Sequence, residues 1–545
     1  MSGFFDLHRP TLESAVKALF CREYWTPYPE VPSGRIYGET AKAEGEADFA
    51  ALCGGVFDLS GHPAEGQAGA EVSPFGSVLG IRYPVAAPDA LIAAAVAAAP
   101  ALAGATVEAR VGVCLEALAR LNRMSFTIAN ATMHTTGQAF AMAFQAGGPH
   151  AQDRGLEAVA AAYAEMTRFA DHARWEKPQG KAAPLVMEKR WTLRPAGIAL
   201  TIGCNTFPTW NSYPGLFASL ATGNPVIVKP HPRAILPLAL TVRVLREVLA
   251  EAGLPADAVL LAVDEPGAEV TKALAVRVEV KLIDYTGSQA FGDWLRGHAR
   301  QAQLFTEETG VNSVVIAATD DLDGMCANLA FALSLYSGQM CTSPQNIYVP
   351  AGGIDTDKGH LGFDAVAAAL VAAIDGLLAD PVRAAGICGA IANPATRARV
   401  EAVAAGRVLR AGAATGGAGP LVLAVEADDP VAREECFGPV AFVIACADAD
   451  AGIRSAADLA AEKGAITAAL YDTDAARISR AEAAFAAAGV NLSVNLTGNI
   501  FVNQSAAFSD FHVTGANPAG NASLTDTAFV ATRFRRVMSR RPVAA

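Results

Sequence analysis

Short apolar runs with the composition of β-strands alternate with runs of helical spacing from residue 197 onward. The strand-like runs of the first series are GIALTIG, PVIVKP, AVLLAVD and VEVKLIDYTGS, and WNSYPGLFASLATGN, LALTVRVLREVLAEAG and FGDWLRGHAR have helical spacing. Parallel strands need a crossover connection that is usually a helix, so this alternation predicts an α/β fold with a doubly wound parallel sheet. We expect a nucleotide-binding type of domain here, although no GxGxxG fingerprint follows any of these strands.

A second series of the same kind begins near Asn312. Its strand-like runs are NSVVIA, NIYVP, GPLVLAV, GPVAFVIA and AITAALYD, and its long helical segment is GFDAVAAALVAAIDGLLA. A chain of 545 residues is long enough for two or three domains, so we predict a second α/β unit. The preceding part is expected to have an irregular start and then an alanine-rich helical region from about residue 88 to 169.

The segment between the helical region and the first sheet is predicted to be a protruding hairpin. It reads RWEKPQGKAAPLVMEKRWTLRP, with Pro-Gln-Gly at its centre and alternating residues on each side. Turn residues flanked by alternation are typical of a β-hairpin. We expect this hairpin to serve as an assembly arm.

Charge and cysteine usage exclude several classes of protein. The formal charge is 42 − 54 = −12, so no global basic field exists to bind nucleic acid. The nine cysteines include no CxxC pair, which predicts no zinc site and no disulfide framework and fits a cytoplasmic protein. The N-terminal residues lack the pattern of a secretory signal, and the apolar stretch 91–107 is interpreted as a soluble helix and its exit, because it contains Pro100 and Gly104.

Cys341 is the first candidate for a chemical role. It lies in LYSGQMCTSP, where an apolar helical run breaks at Ser337, Gly338 and Gln339. A cysteine inside an apolar run is usually a small core residue. One that follows such a break can be reached by a substrate, and nearby amides can stabilise its thiolate.

Six sequence segments together resemble the signature segments of the aldehyde dehydrogenase superfamily in order and approximate spacing. They are GCNTFP, VIVKP, YTGSQAFG, FTEETGVNSVVI, GQMC and REECFGPV, and the resemblance extends from Ile198 to Val440. It implies an aldehyde dehydrogenase-like fold with two doubly wound parallel-sheet domains and an oligomerisation arm. On this basis we expect an NAD(P)-binding domain at 1–170 and 195–306, a catalytic domain at 307–510, and an arm at 171–194 and 511–545.

The resemblance also implies catalytic roles. Cys341 would attack the aldehyde carbon, and the amide of Asn205 would stabilise the oxyanion beside the Cys341 N–H. Asn211 is the less favoured substitute for Asn205. Glu307, 34 residues before the cysteine, is preferred over Glu308 as the base for thioester hydrolysis, because an ungapped alignment fits it and adjacent side chains on an extended chain face opposite ways.

Five further residues are expected to hold the cofactor, by the same resemblance. Lys229 would contact the adenosine ribose, and Gly287 and Ser288 would open a helix toward the pyrophosphate. Glu435 and Phe437 would hold the nicotinamide ribose and wall the nicotinamide ring. Taken singly, Lys229 would be interpreted as an ordinary solvated lysine and Phe437 as a core aromatic residue.

The cofactor is expected to be NADP or NAD, with NADP slightly favoured. Family members that prefer NAD commonly have a carboxylate three residues after the lysine, and this chain has Pro232 there. Lys229, and His231 if charged, could then attract a 2′-phosphate. Asp264 or Glu265 could reverse this preference.

The C-terminal segment 503–535, together with SLYSGQMCTSPQNIYVP, is similar to the phenylacetic acid degradation protein N branch of the superfamily. The resemblance implies NAD(P)-dependent oxidation of a semialdehyde of aromatic catabolism, free or linked to coenzyme A, by a homodimer or dimer of dimers. Ring opening is not expected, because the chain has no room for the hydratase domain of bifunctional relatives. The alternatives are a CoA-acylating dehydrogenase and a redox-silent binding protein that kept the fold.

Overall fold

The first α/β unit is built on a five-stranded parallel sheet. The computed structural model describes residues 3–403, 405–412, 419–501, 507–523 and 526–543. In spatial order the strands are Val259–Leu261, Val226–Lys229, Ile198–Ile202, Val280–Thr286 and Gln303–Glu307. The α-helices in this part of the chain are Pro208–Ala221, Leu236–Glu251, Val270–Ala275 and Gln289–His298, with a 3₁₀ turn at Ala256–Ala258. The predicted strand and helix alternation of this unit is confirmed.

The second unit is built on a seven-stranded sheet. Its spatial order is Arg407–Arg410, Leu421–Val425, Val440–Cys446, Asn346–Pro350, Ser313–Ile316, Thr467–Tyr471 and Asn491–Val494. The first of these strands is antiparallel to its neighbour and the other pairs are parallel. The α-helices of this part are Leu322–Ser334, Phe363–Leu378, Pro381–Cys388, Pro394–Glu401, Ala449–Lys463 and Ala475–Ala487, and 3₁₀ turns lie at Leu335–Gly338 and Pro430–Arg433. The expected second α/β unit is thereby confirmed.

The region before the first sheet is more regular than the sequence suggested. The expected helices from residue 88 onward are Pro88–Gly104, Val107–Arg123, Ser125–Thr136, Phe140–Gly147 and Pro149–Thr167. The expected irregular start is wrong, because Gly3–Cys21, Gly34–Tyr37 and Ala41–Leu52 are also helical. Gly3–Cys21 buries Phe5, Leu12 and Leu19 in the core of the first unit, so contacts distant in sequence stabilise it.

Smaller sheets complete the fold. They pair Gly66–Ala68 with Tyr83–Val85, and Ala318–Thr319 with Ile354–Thr356 and Gly359–Leu361. Among the described residues no single helix has the length and apolar character needed to cross a membrane. Two sharply bent helix pairs meet that criterion only jointly: Pro88–Gly104 with Val107–Arg123, and Phe363–Leu378 with Pro381–Cys388.

The predicted hairpin consists of strands His172–Gln179 and Ala182–Pro195, and Phe534–Pro542 adds a third strand to it. Most of its residues are exposed on both faces. Of the segment 511–545 that was expected to belong to the arm, strand Phe534–Pro542 pairs with the hairpin and Val543 N donates to Val186 O at 3.1 Å. Residues 519–521 bond instead to the end of strand Gln303–Glu307: Glu308 N donates to Ala519 O at 2.6 Å, and Thr306 N donates to Asn521 Oδ1 at 2.8 Å.

A buried ion pair joins the arm to the first sheet. The Arg533 guanidinium, fully buried, donates to both Asp284 carboxylate oxygens at 2.6 and 2.9 Å and to Ser219 Oγ at 2.6 Å. Its planar face also lies 4.3 Å from the Phe305 ring centroid and 4.2 Å from that of Phe529. Since removing one partner of a buried pair leaves an uncompensated charge, this contact fixes residue 533 against the sheet.

Candidate active site

A strained turn presents Cys341. Helix Leu322–Ser334 is followed by three residues in the left-handed region, with φ of 51° at Tyr336, 52° at Ser337 and 62° at Gly338. The non-glycine residues at such angles cost about 1 to 3 kcal/mol each. Two buried bonds hold the turn: Tyr336 Oη donates to Thr136 O at 2.6 Å, and Ser337 Oγ donates to Cys388 O at 2.9 Å. The break that singled out Cys341 in the sequence is therefore a fixed turn.

The thiol of Cys341 faces a histidine and a carboxylate. His512 Nε2 lies 3.8 Å from Cys341 Sγ and 3.2 Å from Glu307 Oε1. Ligand atoms of the three side chains lie within 4.8 Å of one another. Both Glu307 and His512 are buried, whereas Cys341 is partly exposed. A thiol, an imidazole and a carboxylate thus share one small volume.

The adjacent glutamates point to opposite sides of the strand end, as expected for an extended chain. Glu307 faces Cys341 and accepts a hydrogen bond from Asn211 Nδ2 at 2.9 Å. Glu308 accepts two bonds from Arg296, at 2.5 and 2.9 Å. Glu308 is therefore engaged in a separate ion pair, and Glu307 is the carboxylate within reach of the thiol.

The two candidate asparagines have different partners. Asn211 is committed to Glu307 through Nδ2, and its Oδ1 accepts from the Cys204 thiol at 3.5 Å. Asn205 Nδ2 is buried and has no hydrogen-bond partner among the described residues. A buried amide without a partner costs about 1 to 3 kcal/mol, which a ligand oxygen would recover. Asn205 is thus the amide left with an open donor.

Charges around the cluster set the ionisation of its members. The buried Arg154 guanidinium stacks 3.8 Å from the Trp210 ring centroid and has no hydrogen-bond partner among the described residues. Burial pushes the pKa of Glu307 upward, but His512 and Arg154 outweigh burial, and the net pKa lies below its ordinary value. Burial and the Glu307 carboxylate raise the pKa of the Cys341 thiol well above its ordinary value, although Arg154 opposes them.

The expected cofactor residues of the first sheet lie at the carboxyl ends of the two parallel strands that flank Ile198–Ile202. Lys229 is buried, donates to Pro230 O at 2.7 Å, and its Nζ lies 2.5 Å from Asp264 Oδ1. Ser288 caps helix Gln289–His298 by accepting from Phe291 N at 3.4 Å. The Gly287 N–H is used internally, because it donates to Glu307 O at 3.0 Å. This edge offers a charge pair and the free amides of a helix start.

The remaining expected cofactor residues lie on the second unit. Glu435 Oε1 accepts a long bond from Gly310 N at 3.5 Å, and burial raises the pKa of this carboxyl to about 7. Phe437 is partly buried, and its carbonyl accepts from Arg399 at 2.9 Å. Both side chains therefore keep atoms that a ligand could contact.

A cavity of about 480 Å³ leads to the thiol. Cys341 and His512 lie on its wall, and the His150 and Glu30 side chains, 2.6 Å apart, line it as well. Most other wall residues are apolar or aromatic, including Met142, Phe207, Trp210, Phe331, Leu335 and Phe501. No lysine or arginine lines the cavity within the described ranges.

Sequence reasoning missed His512 and Arg154. His512 lies 171 residues from Cys341 and 205 from Glu307, and no spacing rule connects such positions. The signal available was the departure of segment 503–535 from the common family pattern, in which DFHVTG places a histidine; residues 503–506 and 524–525 of that segment lie outside the described residues. Asp264 was named only as a residue that could reverse the cofactor preference.

Known proteins resemble this chain both in sequence and in structure. The model of the "Aldehyde dehydrogenase family" matches residues 82–515. A crystal structure of an NAD-dependent aldehyde dehydrogenase from Burkholderia multivorans is 54% identical, covers 99% of both chains and superposes with a TM-score of 0.96. Thermus thermophilus 1-pyrroline-5-carboxylate dehydrogenase, at 17% identity over 96% of this chain and 99% of its own, has a TM-score of 0.73 and shares the fold.

Curated relatives are more distant and match over shorter segments. α-Ketoglutaric semialdehyde dehydrogenase 2 of Azospirillum brasilense is 29% identical over 302 residues, 52% of this chain and 55% of its own. N-succinylglutamate 5-semialdehyde dehydrogenase of Burkholderia mallei is 30% identical over 281 residues, 49% of this chain and 55% of its own. The chain thus spans about half the length of these curated relatives.

Proposed function

Because the chain belongs to the aldehyde dehydrogenase family, we propose that it oxidises an aldehyde to the carboxylic acid, using a nicotinamide dinucleotide. The observation that carries the proposal is the position of Cys341 on the cavity wall, with Glu307 close to its thiol. A thiolate attacks carbonyl carbon near neutral pH and later leaves readily from an acyl-enzyme.

The residues of this chain divide the work by their chemistry. Cys341 forms the C–S bond to the aldehyde carbon, and the Asn205 amide donates to the oxygen that becomes negative. Glu307 takes a proton from the water that hydrolyses the thioester. The turn at Tyr336 and Ser337 holds the thiol in position, which limits the entropy lost on attack.

The nicotinamide group supplies a hydride acceptor when bound. The residues proposed to hold it fit a dinucleotide: Lys229 and the helix start after Ser288 suit the adenosine and pyrophosphate portion. Glu435 suits a ribose hydroxyl, because its carboxyl is buried with only one long bond among the described residues. Phe437 provides a flat apolar wall.

The substrate class follows from the cavity. The described part of the wall is mostly apolar and offers neither a lysine nor an arginine as counter-ion to a terminal carboxylate, and Glu30 would repel one. We therefore assign an aldehyde whose far end is uncharged and apolar or aromatic. A semialdehyde of phenylacetate catabolism fits this description when its carboxyl group is masked as a coenzyme A thioester, in keeping with the phenylacetic acid degradation protein N branch that the sequence resembles.

The function test uses two aldehydes of equal length, hexanal and 6-oxohexanoate, with phenylacetaldehyde as the aromatic probe. We expect kcat/KM for hexanal and phenylacetaldehyde to exceed that for 6-oxohexanoate by about 100-fold, because desolvating an unpaired carboxylate costs several kcal/mol. The coenzyme A thioester of 6-oxohexanoate should recover activity. Reduced cofactor is followed by absorbance and the product by mass.

Other outcomes would favour other functions. Equal or better turnover of 6-oxohexanoate would contradict the substrate class. Product formed only when coenzyme A is added would support the acylating alternative, which Glu307 opposes because acylating members tend to lack this glutamate. No reduced cofactor with any aldehyde would support a redox-silent protein and refute the proposed function.

We propose NAD as the more efficiently used cofactor, which reverses the expectation drawn from Pro232. The carboxylate of Asp264, 2.5 Å from Lys229 Nζ, offsets the lysine charge and would repel a 2′-phosphate. His231 adds no positive charge near neutral pH, because burial and nearby Lys229 lower its pKa to about 4. The 54% identical relative described as NAD-dependent supports the same direction.

We expect kcat/KM with NAD to exceed that with NADP by about tenfold or more, and Asp264→Asn to reduce this ratio by about tenfold. The adjacent, exposed Glu265 provides the matched control, because Glu265→Gln removes the same charge one residue away. Steady-state kinetics with both cofactors measure the ratio, and thermal unfolding monitors the loss of the buried pair. Wild-type preference for NADP, or an unchanged ratio in Asp264→Asn, would contradict the assignment.

The arm is proposed to mediate assembly into a homodimer or dimer of dimers. Its three strands expose most side chains on both faces, so the sheet has no core of its own within the described chain. Strands with two exposed faces gain stability when a second surface covers one of them.

A further inference from the structure

His512 is held in the catalytic cluster by a segment with an unusual backbone. Val513, which follows it, has φ of 58°, a value that a β-branched residue adopts only under constraint. Val513 is buried and packs with Ile466 and Ala519, with Cys341 against the same cluster. The His512 ring also meets Trp210 edge-on, with centroids 4.7 Å apart. Packing from several sides therefore fixes the imidazole beside the thiol.

The thiol needs a proton acceptor, given its surroundings. Glu307 places a negative charge next to Cys341, and the site is desolvated, so both effects disfavour a free thiolate. Within the described part of the chain, the ring nitrogen in contact with Sγ is His512 Nε2, 3.8 Å away, which can accept the thiol proton when the neutral ring carries its own proton on Nδ1. Imidazole is the side chain suited to accept and return a proton near neutral pH.

We propose that His512 is a catalytic residue, the general base that accepts the Cys341 proton as the thiol attacks the aldehyde, with Glu307 holding the resulting imidazolium. This inference rests on the proposed function and adds a residue to its site. It also gives Glu307 two successive tasks, first as the anionic partner of His512 and then as the base toward water.

The proton balance closes over one cycle. As the C–S bond forms, the S–H bond breaks and the proton moves to His512 Nε2, while the carbonyl electron pair moves to the oxygen near Asn205. That pair re-forms the C=O bond as the hydrogen on the same carbon leaves with its two electrons to the nicotinamide dinucleotide of the proposed function, which gives the thioester. When water cleaves the thioester, one water proton goes to Glu307 and the hydroxyl goes to the acyl carbon. His512 returns its proton to the leaving sulfur, and Glu307 releases its proton to solvent.

Charged and titratable groups from several elements act on this pair. Glu307 lies on the strand of the first sheet, Arg154 on helix Pro149–Thr167, Cys204 after strand Ile198–Ile202 and Asp510 on the segment of His512 itself. The Arg154 cation favours the thiolate, whereas the Glu307 anion and a charged Asp510 favour the imidazolium. The Cys341–His512 pair therefore experiences the Arg154 cation together with the carboxylates of Glu307 and Asp510.

The test measures the thiol directly, without aldehyde or dinucleotide. Alkylation of Cys341 by iodoacetamide is followed from pH 5.5 to 9.5 by peptide mapping, in the wild-type chain, His512→Gln and His512→Phe. We expect both variants to react about tenfold or more slowly at pH 7 and to need a pH about one unit higher for equal reactivity. The exposed Cys21 in the same sample is the internal reference and should react equally in all three proteins.

The two variants separate chemistry from packing. His512→Phe keeps a ring against Trp210, and His512→Gln keeps a polar group for Glu307, so a purely structural role would spare one of them. We expect kcat/KM to fall about 100-fold in both, with thermal unfolding close to wild type in at least one. Wild-type alkylation profiles in the folded variants would overturn the inference. If no aldehyde is oxidised yet the alkylation profiles shift as stated, the proposed function fails and the assignment of His512 as the base for Cys341 stands.

Discussion

Replacement of Cys341 by alanine or serine is expected to abolish aldehyde oxidation, with a loss of about 10⁴-fold or more in kcat. Alanine removes the atom that forms the covalent intermediate, and the serine hydroxyl is not ionised near neutral pH. The side chain is small and partly exposed, so folding and dinucleotide binding should be nearly unchanged. Initial rates at saturating cofactor and a thermal unfolding scan measure the two effects.

Cys204 provides the matched control for this prediction. Its thiol also lies near the cluster, where it donates to Asn211 Oδ1 at 3.5 Å and accepts from Phe207 N at 3.4 Å. Burial raises its pKa to about 11, and within the described residues its sulfur has no imidazole contact like that of Cys341. Cys204→Ala should retain activity within about tenfold. Turnover by Cys341→Ala would refute the covalent mechanism.

Replacing Glu307 is expected to stop steady-state turnover, whereas replacing the adjacent Glu308 is not. Glu307→Gln should give one equivalent of reduced cofactor and then stall as the thioester, with steady-state kcat lowered about 10² to 10⁴-fold, because a neutral amide cannot take a proton from water. Intact mass would show the acyl adduct. The amide oxygen can still accept from Asn211, so the fold should remain intact.

Glu308→Gln is the control one residue away. It breaks the ion pair with Arg296, whose side chain is 44% exposed, so the free energy of unfolding should fall by about 1 to 3 kcal/mol. Steady-state turnover should continue. A stalled Glu308→Gln together with an active Glu307→Gln would show that the sequence register around the base is shifted by one residue.

The proposed role of His512 also predicts the rate at which Glu307→Gln forms its first equivalent of reduced cofactor. If Glu307 also holds the imidazolium, Glu307→Gln should form the thioester more slowly than wild type, as well as stall afterward. Rapid mixing separates the two phases. A burst at the wild-type rate would limit Glu307 to hydrolysis.

The sheets could be predicted from sequence because their strands are buried on both faces. Runs such as VIV at 226–228 and VAFVIAC at 440–446 are continuously apolar, and helical segments alternate with such runs along the chain, so local pattern and tertiary position agree. The helix Gly3–Cys21 was missed because it begins within the first few residues, contains Pro10 and depends on packing against residues more than 100 positions away.

The site residues that were predicted lie in short sequence motifs, and the order of residues within each motif carries the signal. Cys341 follows a helix break, and the choice of Glu307 over Glu308 used the ungapped family spacing to Cys341 together with strand geometry. The contacts that were not predicted form between residues far apart in the sequence. Asp264 pairs with Lys229 from the end of a neighbouring strand. His512 contacts Cys341 although 171 positions separate them in the sequence. No window of sequence contains both members of either pair.

The pairing of Arg533 with Asp284 has a consequence for how this chain is made. The two residues are 249 positions apart, and the carboxylate of Asp284 is buried in the sheet that is synthesised first. While residue 533 is still inside the ribosome, that sheet carries a carboxylate without its counter-ion, and Glu307 lacks His512. At 5 to 20 residues per second, about 10 to 50 seconds separate the emergence of the two partners. The nascent first sheet is therefore held below its final stability during this interval.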